Sequence, residues 1–204
     1  MANQGQETEA KFYILHLDRI VTRLHEMEAR LVQPRVLETN VRFDLPDGSL
    51  SSRGQVLRLR RDTQARLTYK GAGQNRSGVL DRQEIEFTVE DDKKARQFLE
   101  ALGYRQTMYY EKYRATYQLD DTQIMVDELP YGNFVEIEGD TVEQIQAVAE
   151  SLHLSWNAAV PRSYTILFEA LRKKMQLSFQ EISFDHFRGI QVQASDLNVH
   201  PADE

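Results

Sequence analysis

Alternation at a period of two residues dominates this chain, broken at intervals by stretches with a period near 3.6. Alternating runs predict strands at 7–15, 34–45, 55–61, 65–71, 80–89, 104–119, 122–129 and 133–138. The helical period predicts four helices. One runs over 18–31, with Leu17, Ile20, Val21, Leu24 and Leu31 as its apolar stripe. A second covers 91–102, with Ala95, Phe98, Leu99 and Leu102 on one side and Gly103 as its stop. A third covers 141–152 through Val142, Ile145, Val148 and Leu152. A fourth begins near Ser163 and shows Tyr164, Leu167, Phe168, Leu171 and Met175. Pro46-Asp47-Gly48 reads as a turn, and Asp62-Thr63-Gln64 as the tip of a hairpin. The glycine-rich piece 71–78 reads as a mobile hairpin loop without the GxxxxGK[ST] pattern of a phosphate-binding loop. Residues 195–204 read as a loose polar tail, which leaves 1–194 as a single domain.

What the alternation places on the polar face is unusual. Glu7, Glu9 and Lys11 share one face of the first strand, and Glu136 and Glu138 share one face of the last. Arg58 and Arg60, Lys70, Glu84 and Glu86, Lys112 and Arg114, and Asp127 fall in strand-like runs between them. About eight strands joined mostly by turns suggest an α+β protein built on a closed eight-stranded antiparallel β-barrel, with amphipathic helices packed outside. In such a barrel Leu57, Leu59, Ile85, Phe87, Val135 and Ile137 face outward beneath the helices, and their charged neighbours line the interior. A charged interior is costly unless it holds a polyanion and metal ions.

These residues resemble the signature of the CYTH superfamily, the triphosphate tunnel metalloenzymes. Glu7-x-Glu9-x-Lys11 matches its opening strand. Arg42-Phe43-Asp44, Leu50, Gly54 and Leu57-Arg58-Leu59-Arg60 follow, then Thr68-Tyr69-Lys70, Arg82-x-Glu84-x-Glu86 and Lys112-x-Arg114. Asp127-x-Leu129-Pro130-x-Gly132-x-Phe134-x-Glu136-x-Glu138 completes the series, and the match runs over roughly residues 5–175. Taken alone, Glu-x-Glu-x-Lys is more often a solvated strand face; the ordered series is what is specific. The resemblance implies a tunnel fold and a triphosphate-containing substrate. Class IV adenylyl cyclases, thiamine triphosphatases and inorganic tripolyphosphatases all belong to that superfamily.

Lys11, Arg58, Arg60, Lys70, Lys112 and Arg114 are then the expected substrate-binding cations. They are more than one monophosphate needs, and arginine's planar fork grips two phosphate oxygens at once. Carboxylates cannot bind phosphate directly, so Glu7, Glu9, Asp127, Glu136 and Glu138 are expected to hold Mg²⁺ or Mn²⁺, hard cations that take oxygen ligands. Glu84 and Glu86 are expected as further tunnel residues. Lys11 is the expected catalytic residue. If neutral it accepts a proton from water; if charged it stabilises the transition state. Metal-dependent hydrolysis of a triphosphate-containing substrate, whether tripolyphosphate, thiamine triphosphate or a nucleoside triphosphate, is the first reading. An adenylyl cyclase that makes cyclic AMP and pyrophosphate is the second, and a non-catalytic polyphosphate- or nucleotide-binding module the third.

Composition narrows the remaining choices. With 204 residues, 41% hydrophobic and 28% charged, the chain suits one globular domain. It has no cysteine, which excludes disulfides and thiolate metal sites, and its five histidines show no ligand spacing. No apolar run approaches a membrane span or a signal-peptide core, so a cytoplasmic protein with no membrane partner is expected. The net charge of −7 argues against a nucleic-acid partner. Association into a homodimer is left open by the sequence.

Overall fold

The computed structural model describes residues 6–76 and 79–204. Nine strands and six α-helices follow one another along the chain. They are β1 (Gln6–Ile14), α1 (Leu17–Glu26), β2 (Arg30–Asp44), α2 (Ser49–Ser52), β3 (Val56–Arg61), β4 (Ala65–Lys70), β5 (Gln74–Arg76), β6 (Val79–Val89), α3 (Asp92–Ala101), β7 (Arg105–Leu119), β8 (Thr122–Leu129), β9 (Gly132–Glu138), α4 (Val142–Ser151), α5 (Tyr164–Met175) and α6 (Ala194–Leu197). All strand pairings are antiparallel, in the order β1-β9-β8-β7-β2-β3-β4-β6, and the pairing of β1 with β6 closes the barrel. The expected α+β barrel of eight strands is therefore present. Where β4 leaves β6, β5 takes its place against Val79, Leu80 and Asp81, so part of the expected 71–78 loop is a strand. Ser77 and Gly78 of that loop lie outside the described residues.

Packing outside the barrel decides which strand face turns inward. Ala10, Phe12 and Ile14 of β1 join Val135 and Ile137 of β9 in one apolar cluster with Ile20 and Leu24 of α1 and Ile145 and Val148 of α4. Their sequence neighbours at odd spacing must then face the interior. A smaller cluster, Val41, Phe43 and Leu59, packs on Leu99 of α3, with Leu57 beside it. Ile85 and Phe87 are a correction: at 50% and 54% exposed, they face out, but no helix covers them.

Two boundaries also differ from expectation. Helix α1 ends at Glu26 rather than continuing to Leu31, because Glu28 takes a left-handed conformation with φ of 56°. The N–H groups of Ala29 and Glu28 bond back to the carbonyls of Leu24 and His25, a Schellman closure made without glycine. Leu31 consequently lies exposed on β2. Residues 195–204 are docked rather than loose. Leu197 and Ala202 are buried, the Ala202 N–H donates to the Tyr13 carbonyl at 2.9 Å, and the Asp203 carboxylate accepts from the backbone N–H groups of Leu15 and His16.

Helix α5 and the chain after it cover one end of the barrel. Leu167, Phe168 and Leu171 pack with Tyr131, Phe134, Ile182, Phe187 and Leu197 in an aromatic-rich cluster. Gly132 sits in the tight β8–β9 turn with φ of +147°, and a Cβ there would stand 2.6 Å from the Tyr13 ring. Among the described residues, no helix is long and apolar enough to cross a membrane.

Candidate functional site

The barrel encloses a cavity of about 470 Å³ whose wall is mostly ionic: ten cationic and eight acidic side chains line it among the described residues. Lys11, Arg58, Arg60, Lys70, Lys112 and Arg114 all reach the cavity, as do Glu7, Glu9, Glu84, Glu86, Glu136 and Glu138. Strand register brings them together. Glu9 lies opposite Glu138 and Lys11 opposite Glu136 across β1 and β9, and Lys70 opposite Glu84 across β4 and β6.

Asp127 is the exception among the expected residues. It is fully buried behind the cavity wall. Arg114 reaches it through Nε and Nη2 at 2.6 and 2.5 Å, Lys112 Nζ lies at 2.8 Å, and the Tyr164 hydroxyl donates to it at 2.8 Å. Its oxygens hold groups that line the cavity while it does not line the cavity itself, so Asp127 anchors cations from behind the wall.

Two further ionic groups complete the wall. Lys11 pairs with Glu136 at 3.0 Å, and Arg114 bonds the other oxygen of Glu136. On the neighbouring strands Glu7 accepts from Lys70 and from Arg82, the latter at 2.8 Å, and Lys70 also meets Glu84 at 3.1 Å. Arg60 pairs with Glu86 at 2.7 Å, while Arg58 donates to the Tyr110 hydroxyl at 3.3 Å. The Nε atoms of Arg58 and Arg60 are buried with no hydrogen-bond partner.

Charge is balanced unevenly around this wall. Burial opposes ionisation of Glu7, but Lys70 and Arg82 outweigh it and hold its carboxyl down to about 2. Lys11 and Arg114 likewise overcome burial to keep Glu136 well below the usual carboxylate range. Glu138 goes the other way: burial and the nearby charges of Glu7 and Glu9 push it up to about 7. Burial and the charges of Glu7 and Glu136 raise Glu9 as well. Burial alone would lower Lys11, yet Glu136 and Glu9 raise it, so its ammonium form is favoured.

These shifts bear on the expected metal. No three acidic or histidine side chains among the described residues are gathered tightly enough to hold an ion as they stand. Negative charge nevertheless outweighs its compensation at Glu9, which meets Arg82 at 3.4 Å, and at Glu138, directly opposite it, where like charges cost stability. Oxygen donors with surplus negative charge suit a hard divalent cation. Glu9 and Glu138 therefore fit such an ion, with Glu7 and Glu136 beside them.

Several wall residues were not among the expected ones. Glu38 and Arg42 share the inward face of β2, opposite Lys112 and Arg58 respectively, and Arg82 shares the face of Glu84 and Glu86. The period-two rule that found their neighbours applies to them equally. Tyr164 had no such signal, since its place in the sequence marks it only as part of a helical apolar stripe. Its ring nonetheless lies 4.3 Å from Lys11 Nζ and 5.0 Å from Lys112 Nζ, within cation–π range.

Comparison with known proteins agrees with this architecture. The chain is 25% identical over 169 residues to a protein of Methanocaldococcus jannaschii provisionally named an adenylate cyclase, covering 78% of this chain and 95% of that one. A Vibrio parahaemolyticus protein, also provisionally named an adenylate cyclase, superposes with a TM-score of 0.74 at 23% identity, over 82% of this chain and all of that one. A Hippeastrum protein, provisionally named an adenylyl cyclase and described as having a dominant triphosphatase activity, superposes with a TM-score of 0.55 at 18% identity, over 95% of this chain and all of that one. The CYTH domain family model matches residues 5–164, and the chain belongs to that family.

Proposed function

We propose that this protein hydrolyses a triphosphate-containing substrate with the aid of Mg²⁺ or Mn²⁺. The observation that carries this reading is the convergence of ten cationic and eight acidic side chains on one cavity. A chain of phosphates supplies acceptors for the guanidinium and ammonium groups that line the cavity. In this reading Arg58, Arg60, Lys70, Lys112 and Arg114 bind phosphate oxygens, and Arg42 and Arg82 extend the grip. Glu9 and Glu138, with Glu7 and Glu136, hold the metal ion, which when bound supplies Lewis-acid neutralisation of phosphate charge. Phosphoryl transfer asks the protein mainly for positioning and charge stabilisation. Lys11, with its ammonium form favoured, stabilises developing negative charge rather than acting as a base. Asp127 and Tyr164 keep Lys112 and Arg114 in place.

The relatives' names, adenylate cyclase and triphosphatase, mark the two chemistries that the test must separate. Purified protein is incubated with tripolyphosphate, thiamine triphosphate or ATP, with Mg²⁺ or Mn²⁺ or with EDTA. Metal-dependent release of orthophosphate is expected. Cyclic AMP with pyrophosphate from ATP would replace hydrolysis by cyclisation, and tight binding without turnover would make the protein a binding module.

A further inference from the structure

One stretch of the cavity wall breaks the ionic pattern. Cross-strand register runs in one row from Lys11 to Glu136, then to Met125, Thr116 and Gln33. The next row passes from Glu9 to Glu138 and then to Gln123. All of these line the cavity, and charge stops at β9 in both rows. Met125 is a buried apolar side chain on a wall that is mostly ionic. Val32 and Gln33 are consecutive, yet both line the cavity. A regular strand would turn them to opposite faces. The ladder between β2 and β7 shifts register on both sides of Gln33, between Leu31 and Gln33 and between Gln33 and Val36. Bulges of this kind re-aim side chains beside functional sites.

The result is an uncharged patch with two amides, a hydroxyl and two apolar surfaces, continuous with the row that carries Lys11 and Glu136. At strand spacing, Met125, Thr116 and Gln33 stand roughly 5, 10 and 14 Å along the wall from Glu136. Of the other uncharged wall residues, Tyr110, Val160 and Tyr164 are packed into the cluster that covers the far end of the barrel, Pro161, Ser163 and Thr165 flank them at the start of α5, and Val56 and Leu80 stand singly among charged residues of β3 and β6. The patch offers phosphate no cation, only the neutral donors of two amides and a hydroxyl. Because the cavity is read as a triphosphate site, we infer that Val32, Gln33, Thr116, Gln123 and Met125 receive the organic part of the substrate. The substrate class is then a triphosphate ester of an uncharged, hydrogen-bonding group, a nucleoside triphosphate, in preference to inorganic tripolyphosphate. The amides of Gln33 and Gln123 can each donate to and accept from a base edge, while Met125 and Val32 offer apolar contact.

The test compares ATP with tripolyphosphate, both with Mg²⁺, by calorimetric binding and by kcat/KM, in the wild type and in the Gln33→Leu/Gln123→Leu double variant. Neither glutamine is buried, so the variant is expected to fold, and circular dichroism checks that it does. Two lost hydrogen bonds lower the ATP-to-tripolyphosphate ratio about tenfold, in affinity or in kcat/KM. Met125→Lys, which places a charge in the patch, should lower the same ratio further. A ratio unmoved in both variants overturns the inference. Wild-type protein that binds tripolyphosphate but not ATP overturns it too, and leaves the triphosphatase reading standing. Binding of neither ligand removes both.

Discussion

The Tyr164 hydroxyl donates to Asp127 Oδ2 at 2.8 Å, joining the first turn of α5 to the buried carboxylate that holds Lys112 and Arg114. One phenol thus ties the helix covering the barrel end to two cations of its wall. Burial and the Asp127 charge raise the phenol well above its ordinary range, so it stays a donor. Tyr164→Phe keeps the ring against Lys11 and removes only this bond. A loss of about 1–3 kcal/mol in urea unfolding is expected, as for a hydrogen bond to a charged group. Tyr164→Leu should lose more, because the ring contacts with Phe134, Lys11 and Lys112 go as well. Equal stability of Tyr164→Phe and wild type would show that the bond contributes nothing.

Asp127→Asn and Glu138→Gln should behave in opposite ways. Asp127 is encased by Lys112, Arg114 and Tyr164, and neutralising it removes the carboxylate these buried cations share, leaving Lys112 only Glu38 at 3.6 Å and Arg114 only Glu136. A stability loss of about 3–5 kcal/mol is expected in metal-free protein. Glu138→Gln instead relieves repulsion with Glu7 and Glu9, so it should keep or raise metal-free stability while weakening Mg²⁺ or Mn²⁺ binding. Calorimetric metal titration alongside thermal melting separates them. An Asp127→Asn protein with wild-type melting and abolished metal binding would return Asp127 to the ligand set.

Much of this was legible in the sequence because a strand's period of two maps residue spacing onto face. Glu7, Glu9 and Lys11 share a side for that reason alone, and a closed barrel makes that side an interior. Asp127 obeys the same spacing yet stands behind the wall, since the occupation of its oxygens by Lys112, Arg114 and Tyr164 is a property of packing, not of period. Tyr164 shows the limit from the other direction: a helical stripe says which side is buried, not that the burial partner is a lysine. Glu28 ends α1 in a left-handed turn without the glycine that would have signalled it. Leu197, at the end of the four-residue α6, and Ala202 lie in stretches too short to display a period, and only docking onto the rest of the chain buries them.

Kinetics should separate grip from chemistry. Lys11 sits between Glu136 and the Tyr164 ring, next to the carboxylates assigned to the metal. Lys11→Ala is expected to lower kcat about 100-fold or more, as when a charge-stabilising donor is removed, with a smaller change in KM. Arg58→Lys keeps the charge but loses the fork, and should mainly raise KM. A Lys11 variant with normal kcat and weakened binding would make Lys11 one more phosphate ligand.

The pH dependence of metal-free stability follows from the uneven charge balance. Glu138 titrates at about 7 in the folded protein against an ordinary value of 4.5, so the fold favours its protonated form. Stabilisation from that group is complete below pH 4.5 and is lost as the pH rises through about 7. The shift corresponds to at most about 3 kcal/mol. Glu9, raised by burial and by the same neighbours, acts in the same direction. Glu7, held down to about 2, acts oppositely: its contribution is present above pH 4.5 and disappears only as the pH falls toward 2. Between pH 4.5 and 7 the carboxyls with raised values therefore govern, and melting temperature in EDTA should fall as the pH rises across this window. Glu138→Gln should make that fall markedly shallower. Millimolar Mg²⁺ should restore stability most at the upper end, where the carboxylates are ionised and the cation binds them best. A wild-type melting temperature that is level or rising from pH 4.5 to 7 in EDTA, or an equally steep fall in Glu138→Gln, would remove surplus negative charge at Glu9 and Glu138 as the basis for placing the metal there.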